Sequence, residues 1–204
     1  MRLSRTVTGL TASLIPSQST VAGQKPLAEV LVEGELSPFE DEALYRILRK
    51  SFDVKHPSYA ELADEDLATR VNVVFHYPYS QMVFTEVLQE NWRDLKELFK
   101  QISHRRGRAG AAFTVSFKAQ DHRIMFKSGT LNEHEAASAL DQIGHLTSIL
   151  GQMMQPEKME MPIERVEASF DKKSDRWHDF QGFSREQNFV FDDSKLFRWV
   201  PVPK

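Results

Sequence analysis

The chain has 204 residues, 41% of them hydrophobic, which is enough to bury the core of one large or two small domains. Its net charge of -3 leaves no global attraction to nucleic acid or anionic membrane, so any such contact must come from a local patch. The absence of cysteine excludes disulfides, thiol nucleophiles and cysteine-ligated zinc or iron–sulfur centres, and no apolar run approaches the roughly 20 residues that cross a bilayer.

Residues 1–28 stand apart. They hold Arg2, Arg5 and Lys25, many Ser and Thr, and no acid before Glu29. Leu3, Val7, Leu10 and Leu14 share one helical stripe, as in an organelle transit peptide, although Thr6, Val7, Thr8 and Thr11 are poor helix formers and a plain basic tail has the same composition. A cytoplasmic location is expected, or a mitochondrial or plastid matrix if this segment is a targeting peptide.

The next segment, 29–70, reads as a strand-helix-helix extension. "LAEVLVEGEL" is a strand closed by Gly34. A capping box from Ser37 to Glu40, with Pro38 at the first helical position, opens a helix that buries Leu44, Ile47, Leu48 and Phe52. Ser58 to Glu61 has the same signature and predicts a second, short helix. "RVNVVFHYP" is then a β-rich run stopped by Pro78. A helix follows with Phe84, Leu88, Trp92, Leu95, Phe99 and Ile102 on one stripe, starting either just after Ser80 or at the Asn91 to Asp94 capping box.

From Ala111 the pattern changes to strict alternation, with Ala111, Phe113, Val115 and Phe117 on one face and Thr114, Ser116 and Lys118 on the other. "HRIMF" completes a hairpin about "AQD". An Asn132 to Glu135 capping box opens a helix from Glu133 to about Met154, "QMMQPEKMEMP" is a linker, and "IERVEASF" is another strand. The fold class is therefore α+β, with residues 71–171 in the β-α-β-β-α-β order of a split βαβ, ferredoxin-like core. Residues 172–204 add C-terminal β-hairpin structure, and 28–204 can also form one compact unit. The hairpins "VEASFDKKSDRWHDF" and "NFVFDDSKLFRWVPV" echo one another at Phe170/Trp177 and Phe191/Trp199.

Enzyme signatures fail by inspection. "HEAAS" has Ser138 where a zinc motif of the two-histidine type needs its second His, and no phosphate loop, nucleophile elbow or dinucleotide fingerprint occurs. Asp141, His145 and Ser148 share a helical face, but opposite the apolar stripe, where water quenches catalysis. His178 and Asp179 are strand neighbours expected to point to opposite faces. Asp171, Asp175, Asp192 and Asp193 suit turns better than a cation site. No catalytic residue, metal ligand or cofactor is assigned.

Two surfaces remain. Lys96, Lys100, Arg105, Arg106 and Arg108 face only Glu97, a local charge of +4 that could meet phosphates but that equally complements a helix C-terminus stopped at Gly107. The nucleic-acid candidate set is Lys100, His104, Arg105, Arg106, Arg108, Lys118, Arg123 and Lys127, without stacking aromatics, since Phe113 and Phe117 belong to the core face. The protein-interaction candidates are Glu40, Asp41 and Glu42, from a run of six acids and no base between Glu29 and Glu42, and Arg198 and Trp199 in a Pro-bearing tail that is either an anchor or an edge strand. The expected function is a non-catalytic accessory or adaptor protein acting through protein contacts, as a subunit of a larger assembly. Phosphate-backbone binding is the alternative, and an enzyme without a recognisable motif stands third.

Overall fold

The computed structural model describes residues 25–55, 57–61, 69–154, 161–192 and 198–203. The transit-peptide expectation falls outside this range except at Lys25–Ala28, where Leu27 and Ala28 open the first strand. Asp193 and most of the expected linker also lie outside it.

Strand β1 (Leu27–Gly34) leads into helix α1 (Pro38–Arg49), then to the short strands β2 (Asp53–Val54) and β3 (Ser58–Ala60) and to β4 (Thr69–Phe75). The capping box at Ser37 forms as expected: Ser37 Oγ accepts from the Glu40 amide, and the Glu40 carboxylate accepts from the Ser37 amide at 2.8 Å. The Ser58 signature does not start a helix. Ser58 opens β3, which pairs in parallel with β1 at Leu31, Val32 and Glu33. There the backbone amides serve a sheet edge, which four residues of capping pattern with no apolar periodicity behind it cannot outcompete.

After β4, helix begins at Gln81, widens into a π-helical stretch at Val83–Leu88 and resumes as α2 (Glu90–Arg106). The break sits at Gln89, whose φ of 44° is rare for a residue with a Cβ. Asn91 therefore caps nothing. Its amide donates instead to Ser51 Oγ at 2.7 Å, so the helix start after Ser80 is the one realised. Phe84 and Trp92 meet edge to face across the break, 5.2 Å apart.

Strands β5 (Ala112–Lys118) and β6 (Arg123–Lys127) form the expected hairpin, and α3 (Glu133–His145) carries the expected Asn132–Glu135 box. The long helix is interrupted at Leu146 and continues as α4 (Thr147–Met153). Four more strands, β7 (Arg165–Asp171), β8 (Arg176–Phe183), β9 (Asn188–Asp192) and β10 (Arg198–Pro201), run as an antiparallel meander.

All ten strands join one mixed sheet in the order β10-β9-β8-β7-β6-β5-β4-β1-β2, with β3 also on β1. From β4 to β7 the elements follow the expected β-α-β-β-α-β order, but their pairing differs from the split layout. β4 and β5 are direct parallel neighbours, as are β6 and β7, so no strand is inserted into either βαβ unit. The sheet also extends past both ends of this unit, through β1 on one side and β8 on the other, so the flanking segments are continuous with it.

The core lies on one face of the sheet. Val30, Val73, Val115, Phe126 and Ala168 occupy one row across five strands, beneath α1, α2 and α3. Phe99 of α2 stacks on Phe113 at 4.4 Å, and Phe75 stacks on Phe117 at 5.3 Å. The echo in the C-terminal hairpins is a structural one. Phe170 lies directly across from Trp177 and Phe191 from Trp199, and the rings of each pair meet edge to face. Each indole then pins a helix to the sheet, Trp177 donating to the Ala139 carbonyl at 2.8 Å and Trp199 to the Met153 carbonyl at 3.0 Å.

Candidate functional site

The stretch from His104 to Gly110 is a helix terminus. Gly107 takes a φ of 56° and stops α2, with its amide on the His104 carbonyl. Arg106 turns inward. Its Nε donates to Thr69 Oγ1 at 2.8 Å, and Nη2 donates to the Glu35 carbonyl at 2.7 Å and to Glu40 Oε2 at 3.0 Å. Arg105 reaches Glu40 Oε1 at 3.5 Å and lies over the Phe39 ring. These two arginines tie the end of α2 to the beginning of α1.

His104 pairs with Glu133 at 2.9 Å and Lys100 with Glu97 at 2.9 Å, along a groove of about 540 Å³ between α2 and α3, while Arg108 is exposed. Lys118, Arg123 and Lys127 do not join this group. They lie beyond the sheet from α2, so the eight cations are divided between two sides of the molecule.

The acidic run divides as well. Glu40 is completely buried as the capping carboxylate and the partner of Arg105 and Arg106. Burial alone raises its pKa, but the hydrogen bonds from the Ser37 amide and Arg106 outweigh it and hold the carboxyl below its ordinary value. Asp41 accepts from the Tyr59 hydroxyl, whose pKa burial and that carboxylate push up to about 12, and Glu42 is exposed. In the tail, Arg198 is exposed and Trp199 is buried, because β10 folds back on β9 as an edge strand. Neither Glu40 nor Trp199 is placed to touch a partner.

Asp141, His145 and Ser148 are exposed, and Asp141 pairs with Lys96 rather than with the histidine. His178 and Asp179 do meet, with 2.8 Å between Nδ1 and Oδ1, against expectation. A bulge explains it: β8 places two residues opposite Ala168, and Asp179 takes a φ of 49°, which breaks the alternation. Asp171 caps its own turn through the amides of Lys173 and Ser174, and Asp175 accepts from Ser138 of α3. No cluster of potential metal ligands occurs among the described residues.

A further surface is the face of the sheet turned away from the helices. Residues that alternate with the core row point there: Glu29, Leu31 and Glu33 from β1, Arg70, Asn72 and Val74 from β4, Thr114 and Ser116 from β5, Arg123, Met125 and Lys127 from β6, and Arg165 and Glu167 from β7. Among the described residues no helix covers them. β2 and β3 raise one side, and together they enclose a basin of about 690 Å³ lined by Leu31, Asn72, Val74, Thr114, Ser116, Arg123 and Met125, with Lys55, Glu29 and Lys127 at its edges.

The acids of this face are all matched. Glu29 pairs with Lys55 at 2.6 Å and lies 3.3 Å from His76, Glu33 pairs with Arg70 at 2.8 Å, and Glu167 pairs with Lys127 at 2.6 Å and Arg165 at 3.1 Å. Arg123 differs. Its guanidinium donates one bond at 3.2 Å to the hydroxyl of the fully buried Ser116, while Nε has no hydrogen-bond partner and, among the described residues, no carboxylate is in ion-pair contact with the group. Burial, and Arg165 directly across on β7, hold its pKa below the ordinary arginine value against the opposing pull of Glu167 and Glu29, although an arginine in a protein keeps its proton.

Sequence reasoning found Lys118, Arg123 and Lys127 but missed Leu31, Asn72, Val74, Met125 and the paired acids around them. The signal was present in "LAEVLVEG" and "TRVNVVF", whose second alternating set mixes charge with apolar residues. Together, fold and site define a mixed α/β protein whose ten-stranded sheet is helix-covered on one face and open on the other. In comparisons with known proteins, no family model, curated protein or solved structure matches the chain.

Proposed function

We propose that this chain is a non-catalytic accessory or adaptor protein that acts through protein contacts, as a subunit of a larger assembly, with the open face of its sheet as the contact surface. The observation that supports this reading is the unevenness of the two faces. The helix side closes over the hydrophobic core, whereas the other face, which no described helix covers, keeps a broad basin with half-exposed Leu31, Val74 and Met125 beside Arg123. A sheet face that mixes apolar and polar groups over several strands offers area for a partner without the deep, converging polar pocket that chemistry requires.

A photo-crosslinking amino acid placed at Leu31, on the open face, and separately at Arg93, on the outer side of α2, tests this in native extract. A discrete, stoichiometric protein adduct is expected from position 31 and none from position 93. A nucleic-acid adduct at position 31, or a protein adduct at position 93 alone, overturns it.

A further inference from the structure

Resting on that reading, we propose that the basin is a carboxylate-binding site, in which Arg123 receives an acidic side chain from an extended segment of a partner protein while Leu31, Val74 and Met125 hold the apolar side chains beside it. Every acid on this part of the face already has a cation: Lys55 for Glu29, Arg70 for Glu33, and Lys127 with Arg165 for Glu167. The guanidinium that lies in the basin makes no ion pair among the described residues, although Glu167 and Glu29 attract it from a distance, and its Nε has no hydrogen-bond partner. A partly desolvated cation with an unmet donor and no carboxylate in contact is a cost to the free protein that an incoming anion reduces.

Several features select a carboxylate on a peptide over a nucleic-acid backbone. One side-chain carboxylate matches the single guanidinium that makes no ion pair among the described residues, whereas a polyphosphate would bring successive charges to a rim whose cations, Lys55 and Lys127, are already paired with Glu29 and Glu167. None of the residues lining the basin is aromatic, so bases have no ring within it to stack on. The apolar residues instead match side chains two positions before and after the acid, since residues i and i+2 of an extended chain point to the same face. Asn72 and Thr114, side by side in the register, offer polar contacts in the same basin.

The test is fluorescence anisotropy on the full chain at low salt, with a labelled peptide that carries one Glu, Leu two positions before and after it and Thr between them, and, in parallel, labelled oligouridylate of equal length. The proteins are wild type, Arg123→Gln, Arg123→Lys and the outer-surface control Arg93→Gln, each also melted thermally. Wild type and Arg93→Gln bind the peptide alike. Arg123→Gln binds it roughly ten- to hundredfold more weakly, the loss expected for a charged hydrogen bond, and Arg123→Lys falls between because it keeps the charge and loses the fork. Arg123→Gln melts close to wild type, because Gln can keep a bond to Ser116 and the charge it removes makes no ion pair in the free protein.

Equal peptide binding by wild type and Arg123→Gln overturns the assignment, as does no binding by wild type. A markedly lower melting temperature for Arg123→Gln also overturns it, since the arginine is then structural. The two proposals fail separately. A protein adduct at position 31 with no Arg123 dependence leaves the adaptor reading standing without the carboxylate site, and tight oligouridylate binding that requires Arg123 removes both.

Discussion

Glu40 shows how far a side chain's place in a charge run can differ from its role. It sits among exposed acids in the sequence, yet it closes the α1 capping box and neutralises two arginines from α2. Removing one partner of a buried pair leaves the other charged and unsolvated, so Arg106→Met is expected to cost about 3–5 kcal/mol, read by urea unfolding, with much of it recovered in the double variant Glu40→Leu/Arg106→Met. The pH dependence follows from the sign of the shift. A carboxyl held below its ordinary value of 4.5 stabilises the fold at pH above that value and loses the contribution as pH falls through its folded pKa. The acid limb of the unfolding free energy is therefore expected to be shallower in Glu40→Gln. Gly182 makes a second prediction at this scale: a Cβ there would stand 2.9 Å from Ile163 Cδ1 and 3.0 Å from Trp199 Cζ3. Gly182→Ala is expected to destabilise by about 1–3 kcal/mol, the usual cost of overpacking, measured by the same unfolding curve.

Among the elements, the two C-terminal hairpins act as clasps. Each carries a Phe–Trp pair across its strands and sends the indole N–H to a helix carbonyl, so the hairpin fixes both the sheet and the helix above it. Trp199→Phe, which keeps a ring and loses the donor, is expected to cost about 1 kcal/mol, and Trp199→Ala about 3–5 kcal/mol through the cavity it leaves. A chain ending at Arg198 is expected to melt well below the full chain for the same reason. The capping boxes separate real helix starts from coincidental ones. Ser37 and Asn132 make both reciprocal bonds, so Ala at either should cost about 1 kcal/mol. Ser58 and Asn91 have the same letters without the geometry, because a sheet edge claims one and the π-helical break at Gln89 displaces the other.

Across the whole molecule, stability should grade outward from β4, β5, β6 and β7, which are paired on both sides and covered by α2 and α3, toward β10 at one edge and β2 and β3 at the other. Hydrogen exchange is expected to be slowest in Val71–Phe75, Phe113–Phe117 and Ile124–Phe126 and fastest in β10, β2 and β3, and equal protection at edge and centre would contradict this layout. Much of this architecture was legible in the chain. Period-2 alternation in Ala111–Lys118 and the apolar stripe through Trp92, Leu95, Phe99 and Ile102 identified strand and helix and assigned Phe113 and Phe117 to the core, because local periodicity records which side of an element is buried. Absent motifs, the missing cysteines and the two hairpins were likewise readable in one dimension. Pairing order was not, since nothing local distinguishes a strand placed beside its predecessor from one inserted between two others. Nor could the sequence show that Arg106 turns inward to Glu40 while Arg123 makes no ion pair among the described residues and keeps an Nε without a hydrogen-bond partner. Those outcomes depend on which charges the folded backbone brings within a few ångströms of each other, and only the tertiary structure decides that.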